Sequence, residues 1–329
     1  MNTKNVLIIG AGVSGLTTAL HLIKAGFNVT VWSKEAAGTF PVTSASAYAM
    51  WVPVKIDADP RIEQWTFESL NAFRKLAEDP STGVRLLDIF QLKTERSEPW
   101  FASSFAEFRH SLPEEISPDY ADAHVLQSAP VIDPEVYLPW LQQQVLAAGG
   151  KFEQQTVTDL SALPSQYGII VNCTGLGART LVPDADVFAD RVQVVKIKNK
   201  GVVNKVIIDD EGPNKRACIV PHGSYVKLGG VFDGDQDGTE IDDTATQDIL
   251  DRCNRLVPEL NATTDDIVAV TRACRPERKG WLPRVEAEPL LDGRTVIHNY
   301  GHDGMGYLLS IGIASHIAAY AATLEGDSE

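Results

Sequence analysis

An α/β fold with two domains is predicted by three features of the sequence: a strand, glycine loop and helix at the N-terminus, a second such element near the C-terminus, and a block of strand-like segments between them. The first element opens with the apolar run Val6-Leu7-Ile8-Ile9, which feeds Gly10-Ala11-Gly12-Val13-Ser14-Gly15 and a helix over residues 16–25. In this G-x-G-x-x-G pattern Gly10 permits the tight turn, Gly12 lets backbone N–H groups approach a phosphate, and Gly15 lets the helix pack close on the strand. An anion placed there meets unpaired N–H groups and the positive end of the helix dipole. Gly26 ends the helix, and Phe27-Asn28-Val29-Thr30-Val31-Trp32 supplies the second strand of a βαβ unit. Glu35 follows the fingerprint by about 20 residues, where a carboxylate accepts hydrogen bonds from ribose hydroxyls. A bound dinucleotide is the expectation; a glycine-rich turn in an ordinary α/β core is the alternative.

The remaining elements follow in order. Thr43-Ser44-Ala45-Ser46-Ala47-Tyr48 reads as a polar loop of small residues leading into Ala49-Met50-Trp51-Val52-Pro53. Residues 63–76 alternate in helical fashion, and Pro134 stands at the first position of a helix through residue 144. Residues 151–157 and 168–173 read as strands, and the second runs into Thr174-Gly175, the kind of edge an α/β sheet presents to a ligand. From residue 192 to 230 the pattern becomes β-rich, with runs at 192–197, 203–208, 218–221 and 225–230, which predicts an antiparallel sheet in a second domain. Residues 233–246 are acidic and turn-rich, followed by a helix over 245–257 and a strand over 267–272. Thr295-Val296-Ile297-His298-Asn299-Tyr300 then leads into Gly301-His302-Asp303-Gly304-Met305-Gly306 and an apolar helix over 307–324. A glycine loop at each end of the chain predicts that both ends meet around one cofactor.

Composition narrows the function classes. A chain of 329 residues accommodates two substantial domains, and 44% hydrophobic with 22% charged residues is the balance of a globular protein. The 29 Lys and Arg against 44 Asp and Glu leave a formal charge of −15, which argues against nucleic acid and anionic membrane as partners. Four cysteines without a C-x-x-C pair point to a reducing compartment, so a cytoplasmic location is expected. Residues 6–23 are nearly uncharged, but their glycines and strand-turn-helix pattern argue against a signal peptide or a membrane span. Residues 325–329 carry no lipidation or peroxisomal address.

Over essentially its whole length the sequence resembles the D-amino-acid oxidase family of flavoproteins. Five ordered motifs carry the resemblance: the fingerprint, residues 43–53 with their Trp51-Val52-Pro53 ending, Val171-Asn172-Cys173-Thr174-Gly175-Leu176-Gly177-Ala178, Arg275-Pro276-Glu277-Arg278-Lys279 with Pro283-Arg284-Val285-Glu286, and His298-Asn299-Tyr300-Gly301-His302. The resemblance implies a discontinuous Rossmann-like FAD-binding domain, drawn at residues 1–52, 134–190 and 276–329. A second, antiparallel-β substrate-binding domain is drawn at 53–133 and 191–275. FAD is then held noncovalently by Gly10, Ala11, Gly12, Val13, Ser14 and Gly15. By the same resemblance Lys34 and Glu35 lie at the adenosine, Thr43, Ser44, Ala49 and Met50 at the pyrophosphate and flavin ring, and Val157 near the adenine. Thr174 and Gly175 lie at the sheet edge. The 301–308 loop, with Asp303, Gly304, Met305, Gly306, Tyr307 and Leu308, lies beneath the pyrimidine edge of the flavin. The implied reaction is hydride transfer from the Cα of a D-amino acid to flavin N5, giving an imino acid and then a 2-oxo acid, with O2 reoxidising the flavin to yield hydrogen peroxide. Such a step needs no strong base at Cα–H, and no catalytic base is assigned.

Among individual residues, Arg275 matches the arginine that grips the substrate carboxylate, its planar fork suiting two parallel charge-assisted hydrogen bonds. The other reading is a surface residue in a basic cluster with Arg272, Arg278 and Arg284. His298 and His302 straddle a strand end and a glycine loop, so their spacing does not make a metal pair, and no metal is expected. Cys173 reads as a buried small residue rather than a nucleophile. The departures from the family pattern fall in the substrate pocket, where Cys218 and Phe232 stand in place of tyrosines, beside Arg275 and Gly304. Asp303 adds a carboxylate to the glycine loop, or serves as a turn residue bonded to its own backbone. Three alternatives stay open: a pathway-specific amine or imine oxidase of the same fold, an NAD-dependent dehydrogenase, and a non-enzymatic flavin or nucleotide sensor. The expected partners are an amino acid or amine and O2, and a homodimer is an assembly that the sequence leaves open.

Overall fold

The structure, a computed structural model, describes residues 4–35, 43–54, 56, 58–234 and 237–326, with the side chains of 231–233 and 325–326 outside that description. The chain begins β1 (Asn5–Ile9), α1 (Val13–Lys24), β2 (Asn28–Ser33), α2 (Thr43–Ser46), α3 (Arg61–Leu76), β3 (Val84–Lys93), β4 (Phe108–His110) and β5 (Asp122–Ile132). It continues with α4 (Pro134–Ala147), β6 (Lys151–Gln154), β7 (Ile169–Asn172), α5 (Ala178–Leu181), β8 (Val187–Lys198), β9 (Val206–Asp209), β10 (Ala217–His222) and β11 (Tyr225–Gly234). The last elements are α6 (Asp243–Leu256), β12 (Ile267–Arg278), β13 (Arg284–Pro289), β14 (Thr295–Tyr300) and α7 (Gly306–Gly326). Two compact units result, Met1–Val84 with Pro134–Asp190 and Arg275–Glu329, and Arg85–Asp133 with Arg191–Cys274.

The first unit is built on a six-stranded sheet in the order β13-β14-β7-β1-β2-β6. Its middle is parallel, β1 lying between β2 and β7, because α1 carries the chain back between β1 and β2. Val6, Leu7 and Ile8 are fully buried, which explains an uninterrupted apolar run instead of alternation. β14 joins the same sheet parallel to β7, so the two ends of the chain meet as expected. α7 is long and apolar enough to cross a membrane by length and composition alone, yet it packs on α1 and α3 and is mostly buried.

Three expectations are corrected here. Residues 53–84, assigned from sequence to the second domain, cluster with the first unit. The reason is close helix packing: Ile62, Trp65, Ser69, Leu70 and Phe73 form one buried face of α3, and a Cβ on Gly312 of α7 would lie 2.3 Å from the Trp65 Cα. Arg275, assigned to the second domain, also falls in the first unit. The sheet of the second unit, ordered β12-β8-β11-β10-β9-β3-β5-β4, is mixed rather than antiparallel. β10 runs antiparallel to β9 and β11, but β3 pairs parallel with β9, because more than a hundred residues of chain separate them and return in the same direction. Its core sets Ile249, Leu250 and Cys253 of α6 against Ala217, Ile219, Val226 and Leu228.

Candidate active site

The N-terminal turn admits only backbone. Gly10 turns the chain at φ +112°, and a Cβ there would lie 2.4 Å from the Cys173 carbonyl oxygen. A Cβ on Gly15 would lie 1.9 Å from the Gly10 carbonyl oxygen. Both positions therefore require glycine for α1 to start directly over the end of the sheet. Gly12 is the N-cap of α1 and brings no side chain to it, while the Val13 N–H donates to Ser44 Oγ at 3.1 Å. The Tyr307 hydroxyl donates to the Ser44 carbonyl at 2.9 Å, and a Cβ on Gly306 would meet Val13 Cγ1 at 3.8 Å. The first glycine turn, α2 and the start of α7 thus meet at one place.

A buried polar chain joins the two loops from below. His302 is buried without a compensating charge, and desolvation lowers its pKa to about 4, so the ring is neutral near pH 7. Its Nε2 lies 2.9 Å from Asn299 Oδ1, Asn299 Nδ2 donates to the Thr18 hydroxyl at 3.1 Å, and that hydroxyl donates to the Ser14 carbonyl at 2.7 Å. His298 has other partners: Asn172 Nδ2 lies 3.4 Å from its Nδ1 and Glu288 Oε2 lies 3.3 Å from its Nε2. Burial lowers its pKa as well. The two histidines are separate hydrogen-bonding groups, not a metal pair. Desolvation pushes the Cys173 thiol up to about 12, which leaves it a poor nucleophile.

The other candidate cofactor residues take these places. Lys34 is exposed and Glu35 half-buried just beyond the carboxyl end of β2, where the Ser33 hydroxyl donates to the Glu35 carbonyl at 2.6 Å. Thr43 opens the short helix α2 in place of the expected loop, and Ala49 is buried at φ +47° beside Met50. Thr174 donates through both its N–H and its hydroxyl to Asn172 Oδ1, at 3.2 and 2.7 Å, and Gly175 continues the turn at φ +57°. β6 stops at Gln154, so Val157 lies past the strand and packs against the Leu7, Ile9 and Ile170 cluster. Ala11, Met305 and Leu308 are buried. A turn lined by backbone over a helix N-terminus, with a carboxylate past the neighbouring strand, fits a dinucleotide: Gly10–Gly15 for the pyrophosphate and Glu35 for the ribose.

Arg275 stands in β12, which runs six residues beyond the expected end at 272. Its Nη2 pairs with Asp190 of β8, and its Nε faces Asp303 Oδ1 at 3.3 Å. A Cβ on Gly304 would lie 2.9 Å from Arg275 Nη1, so the guanidinium rests on the glycine loop. Asp303, at φ +49°, is thus an ion-pair partner of Arg275. The reading of a basic arginine cluster fails, since Arg278 pairs with Asp184, Arg284 with Glu286 and Glu288, and buried Arg272 donates to the Glu240 carbonyl. Asp190, Glu277 and Asp303 present carboxylate atoms within 4.8 Å of one another, with Arg275 supplying positive charge among them. Burial, then the charges of Asp303 and Asp190, raise the pKa of Glu277.

Cys218 and Phe232 belong to the second unit, whereas Arg275, Asp303 and Gly304 belong to the first. Cys218 is buried in β10; Phe232 lies in β11 and its side chain is outside the described residues. The sequence reading missed Asp190, Asn172, Thr18 and the role of Asn299. Asp190 carried a signal, a carboxylate inside the strand-forming run Val187-Phe188-Ala189-Asp190.

The chain matches the DAO family, described as FAD dependent oxidoreductase, over residues 5–320. A D-amino-acid oxidase of Streptomyces coelicolor is 35% identical over 320 residues, covering 96% of each chain. Another, of Rubrobacter xylanophilus, is 35% identical over 318 residues, covering 96% of this chain and 95% of its own. Glycine oxidase from Bacillus cereus has the same fold, with a TM-score of 0.81 at 16% identity over 97% of this chain and 95% of that one. The nicotinamide alternative gains no support from these matches. With the glycine cradle built for a dinucleotide and the family matched across residues 5–320, the chain belongs to the DAO family of FAD-dependent oxidoreductases.

Proposed function

We propose that this protein oxidises D-amino acids to imino acids, which water converts to 2-oxo acids and ammonia. The observation that carries the reading is Arg275, seated on the Gly304 loop, in a chain 35% identical to D-amino-acid oxidases. The chemistry that bound FAD supplies is two-electron acceptance from the substrate Cα–H bond, with dioxygen as the final acceptor and hydrogen peroxide as product. The residues that would hold it are Gly10–Gly15, Glu35, Ser44 and the 301–308 loop. Arg275 fixes the substrate carboxylate, and with it the orientation of the Cα hydrogen. Neutral His302 contributes as a buried hydrogen-bond donor that ties the loops together, not as a base.

The test is peroxide release from paired D- and L-amino acids by the flavin-loaded protein, with Arg275→Leu alongside. Removal of the guanidinium is expected to weaken carboxylate substrates by about 2–5 kcal/mol while FAD content stays at the wild-type level. Peroxide release from no D-amino acid, or unchanged steady-state constants in Arg275→Leu, would defeat the proposal.

A further inference from the structure

We propose that Asp190 is a positioning residue that aims the Arg275 guanidinium at the substrate carboxylate, a role that rests on the assignment of Arg275 above. β8 and β12 are neighbours in their sheet, which brings Asp190 and Arg275 side by side although 85 positions separate them. The Asp190 side chain is 8% exposed, and a carboxylate so removed from water needs an opposite charge and hydrogen-bond donors, which Arg275 Nη2 supplies. The guanidinium is hydrogen-bonded through Nη2 to Asp190, while its Nε faces the Asp303 carboxylate at 3.3 Å as an ion pair and its Nη1 lies close over Gly304. An arginine without such anchors has several rotatable bonds to order when substrate binds, and ordering them beforehand removes that cost from binding. Of the two partners Asp190 is the firmer, because it stands inside a strand and is more deeply buried than Asp303, which sits on the glycine loop.

A carboxylate beside Arg275 has two opposed consequences for an incoming anion. It orients the fork, which strengthens binding, and it offsets the charge, which weakens binding. The anchored geometry places the balance on orientation. The experiment compares wild-type holoenzyme with Asp190→Asn, Asp190→Ala and Arg275→Leu. It titrates each with benzoate, a carboxylate with no α-hydrogen to transfer, followed by the change in flavin absorbance, and then measures kcat and KM on the best D-amino acid. Both Asp190 variants are expected to raise the benzoate Kd and the KM about tenfold, with a much smaller change in kcat and wild-type FAD content. A merely structural role would lower FAD retention and stability without this split between KM and kcat. If Asp190→Ala fails to fold, the isosteric Asp190→Asn, which keeps one acceptor oxygen while removing the charge and turning the other oxygen into a donor, carries the test. Benzoate binding in Asp190→Asn that is unchanged or tighter, while Arg275→Leu loses it, overturns the positioning role alone. Wild-type benzoate binding in Arg275→Leu overturns the assignment of Arg275 and this inference with it.

Discussion

The two glycine loops of the first unit look alike in sequence and meet different kinds of neighbour. At the 10–15 turn an added Cβ strikes main chain, the Cys173 carbonyl at 2.4 Å from Gly10 and the Gly10 carbonyl at 1.9 Å from Gly15. At the 301–306 loop its nearest neighbours are side chains: Arg275 Nη1 at 2.9 Å from Gly304, Arg278 Cβ at 3.1 Å from Gly301, and Val13 Cγ1 in ordinary contact at 3.8 Å from Gly306. A carbonyl at the end of a central strand moves only if the ladder moves with it, whereas the end of an arginine turns about several bonds. The first loop is a fixed cradle and the second an adjustable one. Both loops are candidates to hold the cofactor, and the expectation is that its retention tolerates substitution less at the first, while substrate fit is more sensitive at the second.

The sharpest way to break this comparison is Gly15→Ala. A contact of 1.9 Å against backbone leaves no local relief, so the substitution is expected to destabilise the first unit by about 3 kcal/mol or more and to yield protein largely without flavin. The flavin-to-protein ratio and the melting temperature measure both effects. Wild-type values would show that the cradle yields.

The link between the loops predicts the next largest effect. His302 titrates near 6.5 in the unfolded chain and at about 4 in the folded one, so between these values the unfolded state binds more protons. Its contribution to stability is complete above pH 6.5 and is lost as pH falls toward 4, a change of up to about 3 kcal/mol. Denaturant midpoints measured across this range should fall less steeply in His302→Gln than in wild type. Parallel slopes would mean that the buried ring does not govern the acid side.

Gly304→Ala should have the smallest effect and separates the loops most cleanly. Only the Arg275 terminus must move, so the fold and flavin content are expected to stay intact while KM for the carboxylate substrate rises about tenfold. A loss of flavin equal to that of Gly15→Ala would erase the distinction between fixed and adjustable loops.

Legibility in the sequence tracks the range of the interaction. The first βαβ unit could be read because a turn, a close helix approach and a strand are specified within some thirty neighbouring residues. Arg275 could be found as a residue, but its partner Asp190 could not, because no local pattern announces a contact across 85 positions. The assignment of α3 failed similarly: its amphipathic face was visible, but not that Trp65 packs on the backbone of α7 near Gly312. β3 and β5 went unread, and with them the parallel pairing of β3 and β9 that makes the second sheet mixed.

The sequence by itself determined that a strand, a tight glycine turn at Gly10–Gly15 and a helix open the fold, that a second glycine loop precedes the last helix, and that acidic charge dominates the protein. Glycine spacing, strand runs and net charge are properties of neighbours along the chain, and short-range sterics decide them. Only the tertiary structure decided that His302, Asn299 and Thr18 tie the second loop to the first, and that Asp190 and Asp303 hold Arg275. These groups are distant in sequence and polar, and burial makes an unpaired polar group costly. The requirement for a partner follows from that cost, and the fold alone determines which partner is within reach.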